Sequence, residues 1–234
     1  LPLSFAQRRL WFIHQLEGLS ATYNMPLVLR LRGGLDVSAL GLAMADVVER
    51  HESLRTVFPS VEGTPHQVIV PADQADFGWA VVDSVGWSAQ RLEDAVAELV
   101  RYEFDLAVEV PLRARLFVVG VDEYVLVLAM HHIACDGWSF APLARDLGAA
   151  YSARCAGAVP GWDPLPVQYV DYTLWQREYL GDIDDPGSEL AEQVGFWERG
   201  LAGLPERLEL PTDRPYPLVA SYRGAAVPVE WPVR

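Results

Sequence analysis

Residues 114–139, ARLFVVGVDEYVLVLAMHHIACDGWS, decide the fold because they join two apolar runs to a polar turn. The turn-forming residues GVDE separate the first run, Ala114–Val119, from the second, Tyr124–Met130, which is typical of a β-hairpin. The second run is apolar at nearly every position, as expected for a central strand covered on both faces. We therefore expect it to form the middle of a sheet and to end at His131 and His132.

The flanking sequence predicts helices alternating with strands. Ser4 and Gln7 form an S-x-x-Q capping box for a helix that runs to about Leu16, and Asp36 can cap a second helix. Hydrophobic periodicity predicts further strands at 27–31, 66–70 and 79–82, and further helices at 88–104, 139–155, 168–180 and 188–201. This order of elements favours an α/β (α+β) fold, a two-layer sandwich with helices packed on a mixed sheet. From Leu204 the chain is Pro-rich and irregular.

Composition limits the classes of partner. The 234 residues are 51% hydrophobic, enough to bury a sizeable core, and carry a formal net charge of −14, which disfavours nucleic acid and anionic membranes as partners. No apolar run is long enough to span a membrane, and the start of the chain does not resemble a signal peptide. Cys135 and Cys155 lack metal-ligand or redox spacing, which suits a reducing compartment, so we expect a cytoplasmic location.

The paired histidines are the main candidates for chemistry. Consecutive strand residues point to opposite faces, so only one of His131 and His132 can face a given cavity. An imidazole at a rigid strand end suits proton transfer near neutral pH. Asp136, if buried, needs a cationic partner, and Gly137 would let backbone or substrate approach closely.

Three other readings compete for this segment. Paired histidines in an apolar stretch are often core residues with satisfied hydrogen bonds. A zinc site is disfavoured because neither H-E-x-x-H nor a Cys-x-x-Cys pair is present, and we expect no metal. A nucleophilic Cys135 is disfavoured because nothing in the sequence around it indicates the electropositive setting that lowers a thiol pKa.

Four stretches in order carry a family resemblance: SFAQRRLWF at 4–12, RHESLRTVF at 50–58, MHHIACDGWS at 130–139 and YVDYTLW at 169–175. They resemble the first four core motifs of condensation domains from nonribosomal peptide synthetases, a family within the chloramphenicol-acetyltransferase-like superfamily. LEGLSATYNMP at 16–26 is similar to a stretch found in peptide-elongating members. The resemblance covers the whole chain.

The resemblance implies an enzyme with two lobes and an active-site tunnel between them. Residues 1–203 would form the N-terminal lobe, and 204–234 the Pro-rich crossover toward the C-terminal lobe. Expected partners are upstream and downstream peptidyl carrier proteins, the C-terminal lobe and a neighbouring adenylation domain. The carriers would present their substrates on phosphopantetheine, and the domain itself would bind no cofactor.

The resemblance also assigns roles to residues. His132 would act in amide formation, either accepting the proton of the attacking amine or positioning it. The thioester is already activated, so we expect no acylation of Ser139 or Cys135. His131 and Asp136 would be structural, and Asp136 would pair with Arg50 or Arg55. Trp175 would be a packing residue near the site. The other supporting motif residues are Gly137 and Trp138.

Two alternatives and one departure remain. An epimerisation-type relative would abstract a substrate Cα proton, and a non-catalytic carrier-docking platform would keep only the binding surface. Heterocyclising relatives replace the paired histidines, which are intact here. Cys135 stands where relatives usually carry a smaller residue, often Gly, and it would strain the loop if that position required a positive φ.

Overall fold

The computed structural model describes residues 1–218 and residue 227. The α-helices within these residues are α1 Phe5–Glu17, α2 Val37–Arg50, α3 Ala89–Val100, α4 Phe140–Cys155, α5 Tyr169–Leu180 and α6 Glu189–Leu201. The strands are β1 Asn24–Arg32, β2 Thr56–Val57, β3 Ser60–Val61, β4 Thr64–Pro65, β5 Val68–Ile69, β6 Ala80–Asp83, β7 Leu112–Gly120 and β8 Glu123–His131. The predicted crossover lies partly outside the described residues, and its described part at 204–218 contains no helix or strand. The division at 203 stays a prediction.

The main sheet has four strands in the order β1-β8-β7-β6. Strand β8 pairs antiparallel with both β1 and β7, whereas β6 pairs parallel with β7. The predicted hairpin is therefore confirmed as β7 and β8, and the sheet is mixed. Two further pairs, β2 with β5 and β3 with β4, form separate two-stranded ribbons.

Strand β8 is buried on both faces, as its sequence predicts. Residues 125–130 are each at most 6% exposed. Leu126, Leu128 and Met130 join a cluster with side chains of α2 and α4. The alternate residues of β8 join a second cluster with side chains of α1 and α3. Helices thus pack on both faces of the sheet, which adds a helical layer to the expected two-layer sandwich. Burying each large apolar side chain of this kind contributes about 1.5–3 kcal/mol to the free energy of unfolding. Strand β8 is therefore a rigid support for the next residue, His132.

Local capping signals place several helix ends correctly. Ser4 and Gln7 form the predicted capping box of α1, and the Asp36 side chain accepts a hydrogen bond from the Ala39 amide at the start of α2. Gly157 has φ +71° just beyond α4, as expected for a residue that follows a helix end.

Helix α3 ends at Val100, four residues earlier than its periodicity predicts. The Asn24 side-chain amide donates hydrogen bonds to the carbonyls of Val100 and Tyr102, and Phe104 turns into the core. A partner distant in sequence therefore stops this helix.

Candidate active site

His132 is the first residue after β8 and is held by the backbone of β1. Its amide donates a hydrogen bond to the Tyr23 carbonyl at 2.8 Å, which continues the β1–β8 pairing by one step. Its side chain is exposed, whereas His131 is only 2% exposed. The predicted orientation of the two histidines is confirmed.

The His132 ring is oriented by a backbone carbonyl. Its Nδ1 lies 2.8 Å from the Cys135 carbonyl oxygen, which can only accept a hydrogen bond. In the neutral ring Nδ1 must therefore carry the proton, and Nε2 keeps its lone pair. Within the described residues, Nε2 has no hydrogen-bond partner, so a substrate proton could be received there.

His131 is part of the core. Its Nδ1 accepts a hydrogen bond from the Ile133 amide, and its ring lies 6.2 Å from that of Phe104 and 6.3 Å from that of His14. Burial, with smaller contributions from the neighbouring His14 and His132, lowers the pKa of His131 to about 4. His131 therefore stays neutral in the folded protein at physiological pH.

The depressed pKa of His131 predicts a loss of stability in mild acid. The unfolded chain binds a proton at this position near pH 6.5, but the folded chain does so only near pH 4. The stabilisation is therefore complete above pH 6.5 and is lost as the pH falls toward 4. Between pH 7 and pH 5 this histidine alone should lower the free energy of unfolding by about 2 kcal/mol.

Urea unfolding of the wild type and of His131→Asn at both pH values measures this effect. Asparagine can still accept the Ile133 amide but does not titrate, so its stability should change less between the two pH values. An equal pH dependence in the two proteins would contradict the assignment.

A cavity of about 300 Å³ opens beside His132. We call it the His132 cavity. Its polar lining residues, besides His132, are Arg9, Tyr23, Ser53, Asp136, Ser139 and Tyr169. Burial raises the pKa of the Tyr169 phenol, whose oxygen lies 2.9 Å from Ser4 Oγ and so joins the first motif to the fourth. Arg9, Ser53 and Tyr169 were not among the predicted site residues, although each lies in one of the four motifs.

Asp136 does not form the predicted ion pair with an arginine, and that prediction was wrong. It is exposed and caps the turn Gly137–Ser139, accepting hydrogen bonds from the amide and the hydroxyl of Ser139. Water and these two donors satisfy its charge, so no buried cation is needed. Arg55 instead donates to the Val70 carbonyl and lies 3.5 Å from Glu52.

Gly137 and Trp138 are both exposed in this turn. A side chain at Gly137 would meet nothing within 4 Å among the described residues, so the space beside it is open to a substrate.

Asp146 of α4, which was not among the predicted site residues, is the carboxylate that accepts hydrogen bonds from Arg50, His51 and Arg145. It is buried and accepts from Arg50 Nε at 3.0 Å, from His51 Nε2 at 2.9 Å and from Arg145 Nε at 3.1 Å. Burial alone would raise the pKa of Asp146, but the hydrogen bonds from His51, Arg145 and Arg50 outweigh it and lower the pKa. This cluster joins Arg50 and His51 of the second motif to α4.

Replacing Asp146 by alanine should therefore lower the free energy of unfolding by about 3–5 kcal/mol, because it leaves the largely buried guanidinium of Arg50 without its carboxylate. The matched control is Asp136→Ala, which removes an exposed cap and should cost about 1 kcal/mol. Urea denaturation of both variants at pH 7 makes the comparison. A larger loss at Asp136 than at Asp146 would reverse the structural roles of the two carboxylates.

The described residues do not pack over Trp175, and its role as a packing residue stays a prediction. Its side chain is 57% exposed and does not line the His132 cavity. It stacks on Tyr179 at 5.5 Å and lies 5.9 Å from Tyr172, both on α5. These three rings form an exposed aromatic row, because α5 carries them on a face that the described residues leave uncovered.

None of the helices in residues 1–218 is long and apolar enough to cross a membrane.

The sequence matches the family model of the Condensation domain over residues 1–232. It is 61% identical over 232 residues to the isonitrile lipopeptide synthase of Mycobacterium tuberculosis, covering 99% of this chain and 9% of that protein. It is 55% identical over 227 residues to the dimodular nonribosomal peptide synthase of Bacillus subtilis, covering 97% of this chain and 9% of that protein. The chain thus spans about a tenth of the length of these relatives.

Solved structures of condensation-type domains also resemble this chain. The X-domain from teicoplanin biosynthesis superposes with a TM-score of 0.82 at 38% identity, over 92% of this chain and 46% of that one. The starter condensation domain of rhizomide synthetase has a TM-score of 0.73 at 19% identity, over 87% of this chain and 48% of that one, and so supports the fold alone. With its strand-end histidine and a family match over nearly its whole length, the chain belongs to the condensation domain family of nonribosomal peptide synthetases.

Proposed function

We propose that this chain is the N-terminal half of a condensation domain that forms an amide bond between two carrier-bound substrates. The observation that carries the proposal is the geometry of His132. Its Nδ1–H is fixed on the Cys135 carbonyl, and the lone pair of Nε2 is left for a substrate proton in an open cavity.

The proposed reaction uses that geometry. The amine of the downstream aminoacyl group attacks the carbonyl carbon of the upstream thioester, forming the C–N bond. His132 Nε2 accepts the amine proton or orients the amine, and the C–S bond of the tetrahedral intermediate then breaks. The proton ends on the departing phosphopantetheine sulfur. No protein nucleophile is needed, and burial raises the pKa of the Cys135 thiol to about 12, which leaves it unreactive at neutral pH.

The proposed partners follow from the same mechanism. Upstream and downstream peptidyl carrier proteins would deliver both substrates on phosphopantetheine, and an adenylation domain would supply the aminoacyl group. The domain would bind no cofactor or metal of its own, and the cytoplasmic location stays a prediction.

The exposed aromatic row of α5 is the surface that we assign to the C-terminal half of the same domain. This chain covers only 46–48% of the solved domains that it resembles, so about half of the domain lies beyond it. Phe196 and Trp197 of α6 add two further rings that are about 60% exposed. Exposed apolar surface of this extent is typical of an interface.

A carrier-loading assay with the complete domain tests the function. The upstream carrier is loaded with an acyl or aminoacyl thioester and the downstream carrier with an aminoacyl thioester, and mass spectrometry detects the amide on the downstream carrier. The expected product requires both loaded carriers. Absence of product across a panel of donors and acceptors would refute amide formation.

A non-catalytic docking role is the second candidate, favoured by one observation. The X-domain that this chain resembles at 38% identity was solved in a complex with another protein, OxyB. A docking platform would bind loaded carriers without turning them over. An epimerisation-type enzyme would instead invert the Cα of a single carrier-bound residue, which chiral analysis of the hydrolysed aminoacyl group detects.

A further inference from the structure

A second cavity, of about 270 Å³, borders the same motif loop as the His132 cavity. We call it the rear cavity. Its apolar walls come from Leu54, Met130 and Leu143, with Pro142 beside them. The residues that border both cavities are Ser53, Ala134, Cys135 and Ser139. The two cavities are therefore neighbours that share part of their walls.

Cys135 forms part of the base of the rear cavity. Its side chain is 8% exposed and belongs to the same apolar cluster as Met130 and Leu143. The sulfur lies 4.0 Å from the sulfur of Met25, on the sheet side of the cavity. Burial, with a smaller contribution from the nearby Asp136, raises the pKa of the Cys135 thiol to about 12. Cys135 therefore stays neutral and behaves as a small apolar residue.

The backbone at Cys135 does not require glycine. Among the described residues, only Glu62 and Asp122 have a positive φ without being glycine. The loop strain considered from the sequence is therefore absent. A substitution at this position changes the size of the side chain and leaves intact the carbonyl that orients His132.

We propose that the rear cavity receives an apolar side chain of a carrier-bound substrate reacting at His132, and that Cys135 sets how deep that side chain can reach. The inference rests on the proposed function and adds a class of substrate to it. A substrate whose reacting atom lies beside His132 is next to the rear cavity, because the two cavities share the walls formed by Cys135 and Ser139. Each methylene that an apolar wall covers should improve selection about fourfold.

The side chain could belong to the donor or to the acceptor, and the experiment has an arm for each. The complete synthetase module, with both carriers, is loaded with alanyl, 2-aminobutyryl, norvalyl or norleucyl groups. In the first arm these are donors with a fixed acceptor, and in the second they are acceptors with a fixed donor. The measured quantity is kcat/KM for the dipeptide, expressed as the norleucyl-to-alanyl ratio within each variant.

Cys135→Ala deepens the cavity and should raise that ratio about fourfold or more in one arm. Cys135→Leu fills the cavity and should lower the ratio in the same arm. The arm that responds identifies the substrate concerned. Since each ratio is taken within one variant, the fraction of folded protein cancels.

The matched control is Cys155→Ala, which alters the exposed cysteine at the end of α4 and should leave both ratios unchanged. Ratios that stay unchanged in both arms for Cys135→Ala and Cys135→Leu would overturn the inference, while wild-type activity would leave the proposed function standing. No dipeptide from the wild type in either arm would instead count against the function itself.

Discussion

Alanine in place of His132 is expected to lower kcat of the complete condensation domain by about 10²–10⁴, the usual contribution of a positioned general base. Stability should change by no more than about 0.5 kcal/mol, because the side chain is exposed and water can replace its hydrogen bond to the Cys135 carbonyl. Single-turnover formation of the dipeptide on the downstream carrier measures the first effect, and urea unfolding measures the second.

A comparison with His131→Asn separates chemistry from folding. Substituting the buried histidine should affect stability more than the rate per folded molecule, and substituting His132 should do the reverse. Activity within threefold of wild type in His132→Ala would remove His132 from the mechanism.

The 234-residue chain alone is expected to form no dipeptide above the uncatalysed background, although it carries the histidine motif. Proximity can supply about 7–11 kcal/mol of a barrier, but only when both reactants are held in near-attack geometry. In this chain the His132 cavity is open and the aromatic row of α5 is exposed, whereas the proposed second half of the domain would cover both.

Complementation provides the control for this second prediction. Mixing the chain with the separately produced C-terminal half should restore dipeptide formation, and His132→Ala in the added chain should abolish it again. Trp175→Ala should weaken the association of the two halves without altering the His132 cavity. Titration calorimetry measures that association. Turnover by the chain alone at the rate of the complete domain would show that one lobe suffices.

Most of the fold could be predicted because its signals are local. The apolar run of β8, the capping box at Ser4 and the cap at Asp36 each depend on residues within a few positions of one another. The early end of α3 and the parallel pairing of β6 with β7 could not be predicted. The first depends on Asn24, distant in sequence, and the second on the three-dimensional path of the chain.

The site was predicted in part for the same reason. Alternation along β8 placed the two histidines on opposite faces, and the resemblance to the third motif assigned His131 to the core and His132 to the surface. Pairing Asp136 with an arginine assumed that the carboxylate is buried, but its position in an exposed turn made a partner unnecessary. The carboxylate that does bind Arg50 is Asp146, nearly two turns into α4, and nothing in the local sequence distinguishes it from a solvated helix residue.

The pairing of β1 with β8 joins segments that leave the ribosome at very different times. Asn24 lies opposite His131, so roughly a hundred residues must be translated after β1 before its partner exists. At about 5–20 residues per second, β1 waits for about 5–20 s as an unpaired nascent strand. Non-local pairing of this kind is slow and leaves apolar strands open to aggregation. The site around His132 is therefore assembled late, and the yield of this lobe in a heterologous host depends on translation speed and chaperone supply during that interval.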